Sequence, residues 1–158
     1  MKPANFSHLN EKGEASMVDV GLKNVSERCA VAACQILMKP ETFTLLRIGH
    51  LKKGDAFTVA KIAGILAAKR TSDLIPLCHP LPIENIEIRF FDRPHLDGVM
   101  IEAEVKTSAK TGVEMEALTA ASIAALTLYD MVKGYEPGVM ITDLHLIKKT
   151  GGKSDYSH

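Results

Sequence analysis

Residues 112–133 read GVEMEALTAASIAALTLYDMVK, and this stretch decides how the rest of the chain is arranged. Ala, Leu and Met dominate it and no proline interrupts it, so it reads as one helix of about six turns. From Ala117 to Tyr129 there is no charged side chain. A helix resting on one sheet shows a polar outer stripe, whereas one that is apolar all round is covered all round. A chain of 158 residues has few elements left to cover a second face. Either Ala, Ser and Thr soften an exposed side, or a second copy packs there; the expectation is a homo-oligomer.

The helix ends are polar. Glu114 and Glu116 sit near its start, where the dipole favours carboxylates. Asp130 and Lys133 share a face near its end, a spacing that by itself describes a surface ion pair of little worth. At the usual helical rise Glu116 and Asp130 are about 21 Å apart along the axis. One helix cannot bring both to one small substrate. If both ends function, Glu114–Glu116 of one subunit meets Asp130 and Lys133 from elsewhere in the assembly.

Working outward, Arg28–Met38 (RCAVAACQILM) reads as a strand, with helix open because of its alanines. Pro40 starts a short helix through Ile48. Lys52-Lys53-Gly54-Asp55 is a charged turn whose Asp55 caps a helix over Ala56–Thr71. Pro76 stops it, leaving Leu77–Pro82 (LCHPLP) as a rigid, non-helical connector. Ile86–Phe91 and Val99–Lys106 alternate as strands about a turn at 93–98, and Ile86, Ile88, Phe90, Val99, Ile101, Ala103 and Val105 mark the buried face. After the long helix, Gly134 and Pro137-Gly138 lead to a last strand over Val139–Ile147. The order strand–helix–strand–strand–helix–strand is that of an α+β, ferredoxin-like split βαβ fold, an antiparallel sheet with two main helices on one face. One catalytic domain is expected over 1–158, with 1–16 a flexible arm and 149–158 a basic tail.

Composition narrows the function. Nineteen basic and nineteen acidic residues balance to zero, which argues against a nucleic-acid module. Three cysteines without CxxC spacing point to neither a disulfide framework nor a zinc knuckle. No stretch reads as a signal peptide, and polar residues interrupt the longest apolar run too often for a bilayer span. A cytoplasmic protein, not membrane-bound, is the expectation.

The chemical candidates are individually weak. Cys78 and His79 are held between prolines, but neighbours diverge, and a buried thiol beside a locally bonded imidazole explains them equally. Lys53 and Lys69 read first as solvated or helix-end cations. Lys106, Lys110 and Thr111-Gly112 before the long helix form a candidate phosphate seat. Gly151-Gly152-Lys153 lacks the spacing of a Walker loop.

Four stretches taken together carry more: Met17–Val20, Ala60–Pro82 (AKIAGILAAKRTSDLIPLCHPLP), Lys110–Met131 (KTGVEMEALTAASIAALTLYDM) and Thr150–Ser154 (TGGKS). They resemble the cyclic pyranopterin monophosphate synthase family of molybdenum cofactor biosynthesis, and the resemblance covers nearly the whole chain. It implies a lyase that converts a cyclised dihydro-GTP, supplied by an upstream radical enzyme, to cyclic pyranopterin monophosphate with loss of diphosphate. It further implies a hexamer, a trimer of dimers, with sites at subunit interfaces. Matching positions make Asp130, Lys53 and Lys133 catalytic. Leu77, Cys78, His79, Met115 and Glu116 match substrate-binding stretches, and Arg28, Lys69 and Glu114 line the site. No cofactor is implied; Mg²⁺ assisting departure of diphosphate is compatible, and no dedicated metal-ligand cluster is visible in the sequence. Ser72 and Val132 replace a common aromatic and a common cysteine, and 134–138 (GYEPG) is an unusual turn for the family directly after Lys133. Two rival readings are a nucleotide-binding module without turnover and a purely structural oligomerisation domain.

Overall fold

The computed structural model describes residues 12–49, 51–93, 95 and 98–158. The expected arm at 1–16 falls mostly outside them, as do positions 94, 96 and 97 of the turn expected at 93–98. In chain order the elements are β1 (Ser26–Leu37), α1 (Pro40–Arg47), α2 (Ala56–Lys69), α3 (Thr71–Leu74), β2 (Asn85–Arg93), β3 (Gly98–Ala109), α4 (Glu114–Val132), β4 (Met140–Thr150) and β5 (Tyr156–Ser157). The strands form one antiparallel sheet in the order β2-β3-β1-β4-β5. Without the short β5 this is the split βαβ arrangement that the order of elements predicts.

β1 lies between β3 and β4, so its alanines are used as strand residues. Ala30, Ala32, Cys34 and Ile36 alternate into the helix-covered core. On β3, Val99, Ile101, Ala103 and Val105 are fully buried. Their neighbours Glu102, Glu104 and Lys106 join Glu87 and Arg89 of β2 in ion pairs on the opposite side.

Two helices, α2 and α4, pack on each other over the core side of the sheet. Asp55 caps α2, accepting from the Thr58 backbone N–H at 3.1 Å. The contact between the two helices is built from small residues: Ala60, Gly64 and Ala67 of α2, Ala117, Ala120 and Ala124 of α4, all buried. A Cβ on Gly64 would run into Ile88 and come within 2.9 Å of the Ala120 carbonyl oxygen, so the backbones approach only because Gly64 has none.

The long helix is therefore covered on one side only by its own chain. Ala120, Ala121, Ala124, Ala125 and Leu128 are sealed, while Leu126 stays half exposed and Ser122 and Thr127 lie between. Ser and Thr lower hydropathy far less than charges do, so by length and composition alone α4 would pass for a membrane-crossing helix, yet half of that stretch is buried inside the fold, as in the core helix of a globular protein. A correction lies at the C-terminus. The basic tail expected from Lys149 starts inside β4, which runs to Thr150, and returns as β5 against Lys148 and Lys149.

Candidate functional site

Two groups of predicted site residues form at opposite ends of α4. At its start, the connector after α3 lies beside the first helical turn. The connector keeps its shape through a Cys78 N–H to Ile75 carbonyl bond of 3.0 Å and, further on, through Thr107 Oγ1, which donates to the Pro82 carbonyl at 2.6 Å. Leu77, Cys78 and His79 from this connector and Glu114, Met115 and Glu116 from α4 line one cavity of about 510 Å³. A Cβ on Gly112 would collide with the Glu114 carboxylate, so this glycine leaves room for that side chain.

Glu116 is the most buried of these groups, at 4 % exposure. Burial, with a smaller contribution from Glu114 and against the help of its own backbone N–H, pushes its carboxyl above the usual carboxylate range. Burial, and then the Glu116 charge, likewise raise the Cys78 thiol. Cys78 is thus held as a neutral thiol rather than prepared as a nucleophile.

Beyond Gly112 a second, smaller cavity of about 180 Å³ shares Lys23, Thr111, Gly112, Glu114 and Lys149 with the first. Arg28, Lys110 and Lys153 join it, so five cations face one continuous space. Lys149 is partly balanced by Glu114 at 3.4 Å, and Lys110 donates to the Gly21 carbonyl at 2.7 Å. Gly151 lets the loop after β4 fold in: its φ is +83°, and a side chain there would strike the Glu27 carbonyl. The first turn of α4 has no side-chain cap, since Val113 occupies the N-cap. Its N–H groups and dipole add to the positive field.

At the far end of α4, Asp130 holds two lysines. Lys53 Nζ donates to the Asp130 Oδ2 at 2.8 Å and to its carbonyl at 2.7 Å, and Lys133 Nζ lies 2.8 Å from Oδ1. Lys133, followed by Lys53, holds the Asp130 carboxyl down to about 2, and Asp130 in return raises Lys133. Asp130 is thereby a carboxylate at every pH near neutral, able to accept a proton or fix a cation but not to donate.

The structure thus gathers Leu77, Cys78, His79, Glu114, Met115 and Glu116 around one cavity and places Arg28 in its extension. Asp130, Lys53 and Lys133 meet at the other end of the same helix. Lys69 stands apart from both groups, in a shallow pocket with Ile83 and Glu84. Lys106, weighed as part of the phosphate seat, instead pairs with Glu104 on the opposite side of the sheet at 2.9 Å. Sequence reasoning missed Lys23 and Lys149. Strand alternation is the signal that separates Lys149 from Lys148, but register shifts opposite Val31/Ala32 and Ala33/Gln35 break the alternation along β4. Among the described residues no group of three or more His, Cys, Asp or Glu converges as metal ligands.

The profile of the MoaC family matches residues 17–152, a span holding every residue of both groups and all but Lys153 of the cations. A cyclic pyranopterin monophosphate synthase from Syntrophomonas wolfei subsp. wolfei is 54% identical over 153 residues, 96% of this chain and 97% of its own. Proteins of the same name from a Nostoc species and from Heliobacterium modesticaldum are 53% and 54% identical, covering 97% and 96% of this chain and 92% and 95% of theirs. The match runs through the connector, the first turn of α4 and the Asp130 end alike, and the chain belongs to the MoaC family.

Proposed function

We propose that this chain is a cyclic pyranopterin monophosphate synthase: a lyase of molybdenum cofactor biosynthesis that takes a cyclised dihydro-GTP and releases diphosphate. The observation that carries the reading is the junction of the two cavities. A proton-handling pocket containing His79 and buried Glu116 opens directly into a space faced by five cations. The substrate needs both. Its purine-derived ring is rebuilt by successive proton transfers, and its triphosphate carries several negative charges.

In this reading the triphosphate lies along Lys23, Arg28, Lys110, Lys149 and Lys153 and the uncapped start of α4. The base and sugar lie between the Leu77–His79 connector and Met115. Glu116, whose burial favours the protonated carboxyl, donates to the ring, and His79 exchanges protons beside it. Closure of the cyclic phosphate forms a bond from a sugar-derived oxygen to the α-phosphorus and breaks the bond to the β-phosphate oxygen. Diphosphate leaves, and the surrounding cations offset the charge that develops on it. The donor set does not fit a protein-held metal ion, so no step is assigned to one; Mg²⁺ here is a companion of the phosphates. No bound cofactor is required.

Asp130, Lys53 and Lys133 are read as the catalytic group, with Asp130 holding the two amines in place. Their separation of about 21 Å from Glu116 along α4 supports a site completed by a second subunit. An apolar outer stripe of Val59, Ile62 and Leu66 on α2, with Leu126 on α4, supports a homo-oligomer, which we take to be the hexamer, a trimer of dimers. Lys69, outside both groups in the single chain, touches substrate only if the assembly brings it there. A radical enzyme upstream supplies the substrate; neither nucleic acid nor membrane is a partner. Three free cysteines suit a reducing cytoplasm.

The test is turnover of the cyclised dihydro-GTP, followed by diphosphate release and product mass. Wild type yields cyclic pyranopterin monophosphate, and Lys53→Ala binds without forming it. A wild-type protein that binds the nucleotide and releases no diphosphate would overturn the reading.

A further inference from the structure

The turn after α4, residues 134–138, belongs to neither group of site residues, yet three hydrogen bonds tie it to other parts of the fold. Tyr129 Oη donates to the Pro137 carbonyl at 3.2 Å. The Glu136 carboxylate, nearly buried, accepts from the Lys39 N–H at the start of α1 at 2.8 Å. The Tyr135 hydroxyl accepts from the Lys52 N–H at 3.2 Å. The last of these reaches the residue next to Lys53.

Lys52 and Lys53 are the central residues of a four-residue turn closed by the Gly54 N–H on the Leu51 carbonyl at 3.0 Å. Leu51 before them is buried, and Gly54 after them has φ of +92°, a backbone state that glycine adopts without strain. That closure leaves the Lys52 N–H outside the turn's own bonding. Tyr135 takes it, from the same short segment that follows Lys133. The two stretches of chain bearing Lys53 and Lys133 are thus joined by this N–H to hydroxyl bond as well as by their shared carboxylate, Asp130.

We infer that Tyr135 is a positioning residue for Lys53: its hydroxyl anchors the Leu51–Gly54 turn to the end of α4 and so holds the Lys53 ammonium on Asp130. Its effect on turnover rests on the reading of Lys53 as catalytic; its effect on the placement of Lys53 does not. An exposed lysine on a glycine-flanked turn samples many directions, and ordering it before substrate arrives lowers the entropic part of the barrier. Tyr135 lines neither cavity of its own chain, so the change acts first on Lys53 and not on the residues that hold base and triphosphate.

Tyr135→Phe keeps the ring and removes only the acceptor. Amines of the assembled protein are labelled with limiting acetic anhydride and counted by peptide mass spectrometry, with exposed Lys61 on α2 as internal reference. In the variant, labelling of Lys53 relative to Lys61 is expected to rise about fivefold, the factor set by one lost neutral hydrogen bond. The kcat with cyclised dihydro-GTP falls by a similar factor, while KM stays within about twofold. Glu136→Gln, which disturbs the same turn through its contact with α1, leaves Lys53 labelling at the wild-type level. Unchanged Lys53 labelling in Tyr135→Phe overturns the inference whatever the turnover, and equal rises in both variants overturn it in favour of a general loosening of the turn. Raised labelling with unchanged kcat upholds the anchoring of Lys53 and removes Lys53 placement from the reaction, which is a failure of the functional reading instead.

Discussion

Asp130 shows how little a residue's type says about its role until its neighbours are in place. Sequence spacing pairs it only with Lys133, three positions on; the second lysine comes from 77 residues away and makes two contacts with it. Replacing either Lys53 or Lys133 with Ala is expected to stop product formation while leaving the unfolding midpoint close to wild type, since exposed ion pairs contribute little to stability. Full activity in either variant, assayed by diphosphate release, removes that lysine from the mechanism. Glu116 is the opposite case. Burial raises its folded-state pKa above the unfolded value, so no penalty exists at low pH where both states are protonated, and one develops as pH rises through the raised value. Glu116→Gln is therefore expected to be more stable than wild type at pH 8 and no more stable at pH 4, measured by urea unfolding at each pH. A uniform difference at both would show that its ionisation is not what the buried site resists. The same variant loses activity, because an amide cannot donate the proton.

Between elements, the contact of α2 with α4 is set by Gly64. Inside a helix, Gly→Ala ordinarily gains about 1 kcal/mol from propensity. At this position the added methyl meets Ile88 and the Ala120 carbonyl, and a backbone carbonyl does not turn aside as a side chain does. Overpacking of this kind costs roughly 1–3 kcal/mol, so Gly64→Ala is expected to lose stability by about 1 kcal/mol net, read from chemical denaturation. A gain in stability would mean that the helices slide apart at no cost. Among the elements, α2, α4, β2 and β3 were legible in sequence: Asp55 caps α2, α4 is a long run of helix formers without proline and without charge from Ala117 to Tyr129, and β2 and β3 alternate. β4 was legible only in part. Asp143 has φ of +56° within it and its register on β1 shifts twice, so its alternation does not persist to Lys149. The cation from that strand which faces the cavity could not be chosen by counting.

For the whole molecule, the outer surface of the helix layer leaves Val59, Ile62, Leu66 and Leu126 exposed. Ile62→Glu is expected to shift the sedimenting species to lower mass, because a charge on a packed subunit face remains without a partner. An unchanged mass places the subunit contact elsewhere. The separation of the two groups along α4 gives a sharper expectation. Chains carrying Lys53→Ala and chains carrying Glu116→Ala are each inactive alone, yet dissociated and reassembled together they recover turnover, since some sites draw their intact halves from different chains. Mixed oligomers without recovered activity would mean that each site is built within one chain.

The sequence by itself determined the order of the elements, the helix-facing sides of β2 and β3 and the long uncharged helix; only through the family resemblance did it group the carboxylates at the start of that helix with the Leu77–His79 connector. These are local properties, carried by periodicity, caps and contiguous motifs. Tertiary structure alone decided which cations share a cavity, that Lys69 and Lys106 stand outside it, and that Glu116 is buried while Asp130 is not. Burial and charge neighbourhood are sums over residues far apart in the chain, here over the connector, both ends of α4 and a bulged strand. No window of sequence contains that sum.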